Sequence, residues 1–416
     1  MRETRSPMVT PMSVTVRPVE YADQPDYTRL GGEAFGTPSD GRPVPTREEW
    51  EAAGFREWGA FDDDGLAARL RVYGFTSWFH GARVPTAGIA GVAVEPERRG
   101  SGHLGRLFDA ALEQAREQGE VISTLYPTAP GIYRRLGYEV VGSFDDVDVP
   151  LLNLNRVPAP EGVVTRRATV ADFDAIVAVH HRWAAAQNGP VSRAEKPFWT
   201  PPEKFFADYT GVTLAIDATE GGAGEVIGFA SWIRGEGYTP ATALMEVDDL
   251  IALTPDAARA LWRTIGSFST VVGTARVSTS GLDPAWLVLP DLTSTVQSAH
   301  PYMLRVLDVA GALGGVRSPL EGARVPFAVR GARDLDGTWT LTVSDGVTHL
   351  ERDALAVEDA HHERPVLSPN GLALLYAGAQ SAANLRLAGH LTGAPDHDTT
   401  LTALLPHRQL HVRDYF

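Results

Sequence analysis

The residues best suited to chemistry lie in Val92-Ala93-Val94-Glu95-Pro96-Glu97-Arg98-Arg99-Gly100-Ser101-Gly102-His103-Leu104-Gly105. An apolar run reads as a strand, three glycines follow in a turn, and an amphipathic helix begins at once. Glycine permits positive φ and clears the approach to the backbone, so several amide N–H groups can converge on one anion at the helix N-terminus. Arg98 and Arg99 add positive charge there. The pattern predicts a pyrophosphate cradle, although a tight turn without a ligand would use the same glycines. A dinucleotide-binding Rossmann unit would also place an acidic residue about 20 positions on, after a parallel strand; Glu120 and Asp145 fit that poorly. The cysteine count is zero, which excludes disulfides, thiolate metal sites and a cysteine nucleophile together. His180-His181 and His361-His362-Glu363 lack a third metal ligand at useful spacing and read as solvated or capping residues. No Gly-x-Ser-x-Gly elbow is present for a hydrolase triad.

The elements that must position this loop follow from length and pattern. At roughly 100 to 200 residues per domain, 416 residues predict about three domains. A net charge of −15 repels polyanions and argues against nucleic acid as a partner. The longest apolar runs fall far short of the ~20 residues of a spanning helix, and Met1 to Ser13 lacks the apolar core of a signal peptide. A cytoplasmic protein away from membranes is the expectation. Val14 to Arg17 reads as a strand, Ala22 to Phe35 as a helix, and Gly36 to Pro45 as a loop. Strands Leu70 to Trp78 and Thr86 to Val94 are bounded by turns at Asp62-Asp63-Asp64-Gly65 and His80-Gly81. Leu104, Leu107, Phe108, Ala111, Leu112 and Ala115 recur at helical spacing, ending near Gly119. A strand (Val121 to Leu125), a short helix (Pro130 to Leu136) and a strand (Tyr138 to Val149) complete a mixed α/β domain.

The chain then partly repeats. Arg17-Pro18-Val19-Glu20-Tyr21-Ala22-Asp23 is echoed by Arg166-Arg167-Ala168-Thr169-Val170-Ala171-Asp172, and Val92 to Pro96 by Leu250 to Pro255. Two tandem copies of one fold are predicted. The segment from about Met303 differs: Met303 to Val309 reads as the start of a helix, strands follow at Phe327 to Val329, Trp339 to Val343 and Thr348 to Glu351, and a helix runs through Leu372 to Ala382. The expected boundaries are 13–155, 156–300 and 301–416, the last an α+β domain.

A second motif, Thr128-Ala129-Pro130-Gly131-Ile132-Tyr133-Arg134-Arg135-Leu136-Gly137-Tyr138, follows the loop by about 30 residues. Together with Arg99-Gly100-Ser101-Gly102-His103-Leu104, it resembles the GNAT superfamily of N-acetyltransferases, whose Arg-x-x-Gly-x-Gly/Ala loop grips the pyrophosphate of acetyl-CoA. The sixth loop position departs from that pattern, and Gly105 follows it. Tandem GNAT-like halves with a third α+β domain look like the enhanced intracellular survival (Eis) family, whose third domain resembles a sterol carrier protein. The resemblance implies Tyr133 as general acid and the C-terminal carboxylate of Phe416 as general base. It places acetyl-CoA contacts on Val92, Ala93, Val94, Arg99, Gly100, Ser101, Gly102, His103, Leu104, Gly105, Thr128 and Ala129, with no metal. It further implies a homohexamer acting on small-molecule or peptide amines, such as an aminoglycoside or a lysine-bearing peptide.

These roles can be weighed against ordinary acid–base chemistry. A primary amine with a reference pKa near ~10.4 must lose a proton before attacking a thioester, so a base is required. An α-carboxylate near ~3.5 needs burial, a relay or an acceptor of lowered pKa to serve. Tyrosine, near ~10, is still protonated at neutral pH and can donate to the departing thiolate. Most chain ends fray, yet Leu410-His411-Val412-Arg413-Asp414-Tyr415-Phe416 is aromatic and strand-like, so a docked terminus is expected. Tyr138 reads as the core residue of the tyrosine pair. In the second half the matching loop reads Thr254-Pro255-Asp256-Ala257-Ala258-Arg259; without glycine it should bind no CoA. Acceptor contacts are expected from Glu33 to Arg47 and Trp78 to Ala90. A lipid or sterol carrier, or a drug-sequestering protein with a vestigial acyltransferase site, is the alternative.

Overall fold

The computed structural model describes residues 14–36, 43–219, 224–291, 293–405 and 407–416. The N-terminal start expected at residue 13 and much of the Gly36 to Pro45 loop lie outside these. The chain forms two compact units, Met1–Gly74 with Ala87–Glu120, and Phe75–Thr86 with Val121–Phe416.

In the first unit, Thr15–Pro18 pairs antiparallel with Arg56–Asp62, which pairs antiparallel with the strand beginning at Gly65. The helix His103–Glu117 buries Leu107, Phe108, Ala111, Leu112 and Ala115, the face its periodicity predicted. Val19, Tyr27, Leu30, Leu66 and Ala93 share one core. Two buried charges stiffen it. The Arg69 guanidinium lies 3.6 Å from the Tyr27 ring centre and its Nε donates to the Gly91 carbonyl at 3.1 Å. Glu57 accepts from Gln24 at 2.6 Å and Trp50 at 2.9 Å, which ties the helices Gln24–Phe35 and Arg47–Ala53 to the strand Arg56–Asp62. Both Arg47–Ala53 and Arg56–Asp62 escaped the sequence reading. The helix announces itself by Thr46 and Glu49, a reciprocal capping box.

In the second unit the main sheet runs in the order Ile122–Leu125, Thr295–Val306, Glu139–Pro150, Thr274–Thr279, Leu244–Ala252, Val226–Arg234, Gly211–Asp217, Val163–Arg167. The two repeats exchange strands. Thr295–Val306 inserts between Ile122–Leu125 and Glu139–Pro150, while Glu139–Pro150 pairs along its other edge with Thr274–Thr279. This corrects the helix expected from Met303. Tyr302 to Val306 are all buried because that stretch has neighbours on both edges, and a continuous apolar run does not distinguish a central strand from a buried helix. The strand also carries the second segment past residue 300. Five strands form the final sheet, in the order Val347–Arg352, Gly337–Ser344, Arg324–Val329, Pro365–Leu367, Leu391–Gly393. The single helix expected from Leu372 to Ala382 is two, Pro369–Tyr376 and Ala382–Leu387. Gly378 at φ 71° turns the chain between them, and Ser381 caps the second.

The first sequence echo has a shared physical basis. Arg17 holds Asp23 in a bidentate pair at 2.6 and 2.9 Å, and Asp23 accepts the Glu20 N–H. Arg166 holds Asp172 at 2.8 and 2.6 Å, and Asp172 accepts the Thr169 N–H. The same strand-to-helix corner is built twice. At the other end of the chain the tail is docked, but not as a strand: Leu410 makes one bridge to Asn188 and no ladder follows. Arg413 replaces the ladder. Its buried guanidinium donates to Asp283, to the Ser278 carbonyl at 2.8 Å and to His411 Nε2 at 3.0 Å. Burial, then the Arg413 charge, hold His411 down at about 3, so it stays neutral and can accept.

Removing one member of a buried ion pair costs about 3–5 kcal/mol, whereas an exposed pair contributes about 0–1 kcal/mol. Arg413→Met should therefore lower unfolding stability in urea by about that larger amount, and Arg166→Ala by no more than ~1 kcal/mol. Equal effects would remove Arg413 as the anchor.

Candidate active site

The glycine loop belongs to the first unit. Val92, Ala93 and Val94 end the strand Ala82–Val94, with Ala93 buried and the two valines half-buried. Glu95 N–H donates to the Ala67 carbonyl at 2.9 Å and closes the strand pairing. Gly100 and Gly102 adopt φ 85° and 79°, a region costly for other residues. A Cβ at Gly100, Gly102 or Gly105 would meet nothing within 4 Å. The glycines are thus required by backbone conformation at two positions, and the space above all three is open. Gly102 is the N-cap of a 15-residue helix and supplies no side-chain cap, which leaves first-turn amides for an external acceptor. Arg99, Gly100 and Ser101 are exposed.

Two side chains of the loop have partners within the fold. Arg98 does not face a ligand as a free charge: its Nη1 pairs with the buried Asp62 carboxylate at 2.9 Å and bonds the Gly65 carbonyl at 3.3 Å. His103 is buried, with Nε2 3.9 Å from Asp62. Asp62, at the strand end before the predicted turn, therefore braces the loop from behind, leaving Arg99 as its exposed cation. Leu104 and Gly105 are half-buried in the first helical turn.

Thr128, Ala129 and Tyr133 belong to the second unit. Thr128 and Ala129 are exposed, and Ala129 is the N-cap of Pro130–Arg134. Tyr133 is 7% exposed, and burial raises its pKa, so it keeps its proton at neutral pH. Tyr138 is fully buried with its hydroxyl 2.6 Å from Ser123, the core role expected of it. Phe416 packs against Phe75, Tyr126 and Phe198 with ring centres 5.2, 5.5 and 6.1 Å away. Tyr126, two residues before Thr128, donates its hydroxyl to the Asp414 carbonyl at 2.9 Å.

Beside this terminus lies a cavity of about 450 Å³ that the sequence did not disclose. Phe173, Phe198, Phe205, Tyr209 and Tyr415 contribute aromatic walls, and Asp248, Asp249 and Asp414 contribute carboxylates. Arg193 bridges Asp249 at 2.7 Å and Asp414 at 2.9 Å. Burial pushes Asp249 up, but Arg193 outweighs it and holds the group at about 2. At Asp248 a hydrogen bond to Tyr209 and the Arg193 charge act in the same direction but are outweighed. Burial, then the charge of Asp249, push it up to about 6. Burial also keeps His180 neutral; it is 1% exposed, correcting its reading as a solvated residue. Arg413 also lines the cavity, already paired with Asp283. An aromatic wall with a surplus carboxylate suits an organic cation. None of the lining comes from the Glu33 to Arg47 or Trp78 to Ala90 regions, and residues 37–42 lie outside the described ones.

The second repeat's helix, Pro255–Gly266, starts differently. The Thr254 hydroxyl accepts the Ala257 N–H at 3.1 Å and fills the position that Gly102 leaves open in the first.

Residues 15–141 and 189–306 each match a family described as acetyltransferase (GNAT) domain, and residues 317–413 match the sterol carrier protein domain. A relative from Streptomyces avermitilis, an uncharacterized N-acetyltransferase, is 28% identical over 420 residues, covering 92% of this chain and 94% of its own. An uncharacterized N-acetyltransferase of Streptomyces griseus is 27% identical over 401 residues, covering 90% and 92%. The solved GCN5-related N-acetyltransferase from Kribbella flavida is 29% identical, with a TM-score of 0.79 over 97% of this chain and 99% of its own. Eis1 from Mycobacterium abscessus, 21% identical with a TM-score of 0.73 over 97% and 100%, shares the fold. The chain is two tandem GNAT domains followed by a sterol carrier protein domain, and it is an acetyltransferase. The carrier alternative is not favoured; Leu372, Leu375 and Tyr376 fill the interior of the last domain with Phe327 and Val329.

The Asp248 carboxyl is ionised above about pH 6, so the cavity gains a negative charge between pH 5 and 7. Benzylamine, a cation throughout that range, should bind severalfold more tightly at pH 7 by calorimetry. Asp248→Asn should reduce the difference, leaving what Asp414, also raised by burial, contributes. A wild-type affinity independent of pH would exclude Asp248 as a cation contact.

Proposed function

We propose that this acetyltransferase transfers acetyl from acetyl-CoA to primary amines by direct attack, using the first GNAT domain alone. The observation that carries this reading is the contrast between two equivalent helix starts: Gly102 leaves its amides open and Thr254 caps them. The open space above Gly100, Gly102 and Gly105 fits a pyrophosphate, which a Cβ on those residues would crowd.

Acetyl-CoA supplies the activated thioester when bound. Gly100 to Gly105 and Arg99 hold its pyrophosphate by amide N–H groups and charge. Val92 and Val94 pair their backbone with the pantetheine amides as a strand edge would, and Thr128 and Ala129 complete the contacts. The Phe416 carboxylate accepts a proton from the amine, whose nitrogen forms the new bond to the acetyl carbon as the carbon–sulfur bond breaks. Tyr133 donates its proton to the departing sulfur. Its burial keeps that proton in place until then. With no cysteine in the chain, an acyl-cysteine intermediate is excluded, which favours direct attack.

The acceptors proposed are cationic amines of the aminoglycoside or lysine-bearing kind, favoured by the carboxylates and aromatic rings around Asp248. The homohexamer and cytoplasmic location implied by the Eis resemblance belong to the same proposal.

Incubation with acetyl-CoA and a panel of polyamines should release free CoA, and no thiol release with any amine would overturn the transferase chemistry proposed. Appending three residues after Phe416 should cut kcat at least a hundredfold while leaving CoA affinity unchanged; a wild-type rate would refute the carboxylate. Tyr133→Phe should slow turnover by about 10²–10⁴-fold, the usual range for a lost acid. Gly102→Val should instead raise KM for acetyl-CoA.

A further inference from the structure

A second cavity, of about 390 Å³, is lined by the His80-Gly81 turn and its flanks, by the glycine-rich stretch after the helix Val309–Leu313, and by Tyr376 and Arg408. Its charge runs against that of the chain. Three arginines, Arg83, Arg317 and Arg408, line it, and among the described residues no carboxylate does. Two acids stand beside the lining, neither of them part of it. Glu195 stands 3.9 Å from Arg83 and accepts the Thr76 hydroxyl at 2.6 Å, and Asp308 caps its own helix through the Ala310 N–H at 2.9 Å.

Two buried polar groups are left over at the cavity. His80 is 6% exposed. Its Nε2 lies 2.9 Å from the Tyr376 carbonyl, which requires the proton on Nε2, so Nδ1 carries a lone pair. Nδ1 has no hydrogen-bond partner among the described residues. Burial, then the nearby Arg408 charge, lower His80 to about 4, so the ring is neutral at pH 7. Arg408 donates Nη1 to the Ala185 carbonyl, and its Nε, also buried, has no partner among the described residues. A Cβ at Gly81 would come 2.9 Å from Arg408 Nη2; glycine there, at φ 84°, leaves room for the guanidinium.

We propose that this cavity is a binding site for a small organic anion that also carries a hydroxyl. The arginines pair with its carboxylates or phosphate, as guanidinium groups do with planar or tetrahedral oxyanions. The hydroxyl donates to His80 Nδ1 and satisfies a buried acceptor that is otherwise costly. A chain of net charge −15 disfavours diffuse anion binding, so saturable uptake reports a local site. The site is separate from the acetyl transfer proposed above and does not depend on it.

Calorimetry of the full chain with citrate, and separately with glycerol 3-phosphate, distinguishes a carboxylate from a phosphate ligand. Each titration is run with saturating CoA present, to occupy any other anion cradle, and at ionic strength matched with sodium chloride. Saturable one-site binding of either probe is expected. The doubly exposed variant Arg83→Gln/Arg317→Gln, which disturbs no buried group, should weaken it at least tenfold with an unchanged Tm. Tricarballylate, which is citrate without its hydroxyl, should bind at least fivefold more weakly than citrate if citrate is the probe taken; equal affinity removes the hydroxyl from the proposal. No saturable binding of either probe, or binding indifferent to the double variant, overturns the site.

Discussion

The geometry of the chain terminus depends on one buried cation. Arg413 reaches from the tail to Asp283 and the Ser278 carbonyl, and its guanidinium also faces the Trp183 ring at 5.5 Å. A terminal segment is poorly ordered unless it is tied down. A strand ladder would have supplied main-chain bonds on alternate residues, but the tail forms only the bridge at Leu410. The anchoring is therefore concentrated in side chains: Arg413 on Asp283, Arg193 on Asp414, and Tyr126 on the Asp414 carbonyl. Together these bring the Phe416 ring against Phe75, Tyr126 and Phe198. Every one of the anchors lies within two or three residues of the carboxylate to which the proposed mechanism gives the proton.

The two GNAT domains keep one corner in common and differ at one helix start. The corner that opens each copy is retained down to the bidentate ion pair six residues long, Arg17 with Asp23 and Arg166 with Asp172. The helix that follows the central strand is retained too. Its first turn is not, because a threonine hydroxyl accepts the Ala257 amide where Gly102 offers no side chain. A cap of that kind stabilises the helix by about 1 kcal/mol, so the second copy gains stability where the first keeps its donors open. The exchanged strand Thr295–Val306 binds the copies through main-chain hydrogen bonds, and the second repeat supplies most of the aromatic and acidic wall around Asp248.

The sequence was most legible where local chemistry decides the conformation. The amphipathic helix His103–Glu117, the hairpin turn at His80-Gly81 and the glycine loop all follow from periodicity or from φ, and Gly100 and Gly102 adopt the positive φ that their pattern implied. It was least legible where a partner distant in sequence decides. Met303 to Val306 could be helix or strand until Ile122–Leu125 and Glu139–Pro150 flank it. Arg98 looked like a ligand cation because its partner, Asp62, lies 36 residues away across a turn. The cavity around Asp248 collects residues from position 144 to position 415, and no spacing rule connects them. Fully buried His180 looked like a surface residue for the same reason.

The electrostatics of the second unit follow from how its buried charges are shared out. Asp249 and Asp414 divide one arginine between them, and Asp283 takes another. At adjacent Asp248 the hydrogen bond to Tyr209 and the Arg193 charge are outweighed by burial and by the charge of Asp249. Two aspartates side by side in one strand are thus pushed in opposite directions, one held at about 2 and the other raised to about 6. Arg193 lowers both, but it hydrogen-bonds Asp249 directly and Arg413 adds to its effect there. A cation entering the aromatic cavity would meet an environment already short of positive charge, and would itself lower Asp248 by the same coupling through which Asp248 attracts it. Binding and ionisation are therefore linked, and Arg193, which also pairs with Asp414 of the tail, is one of the charges against which that link is balanced.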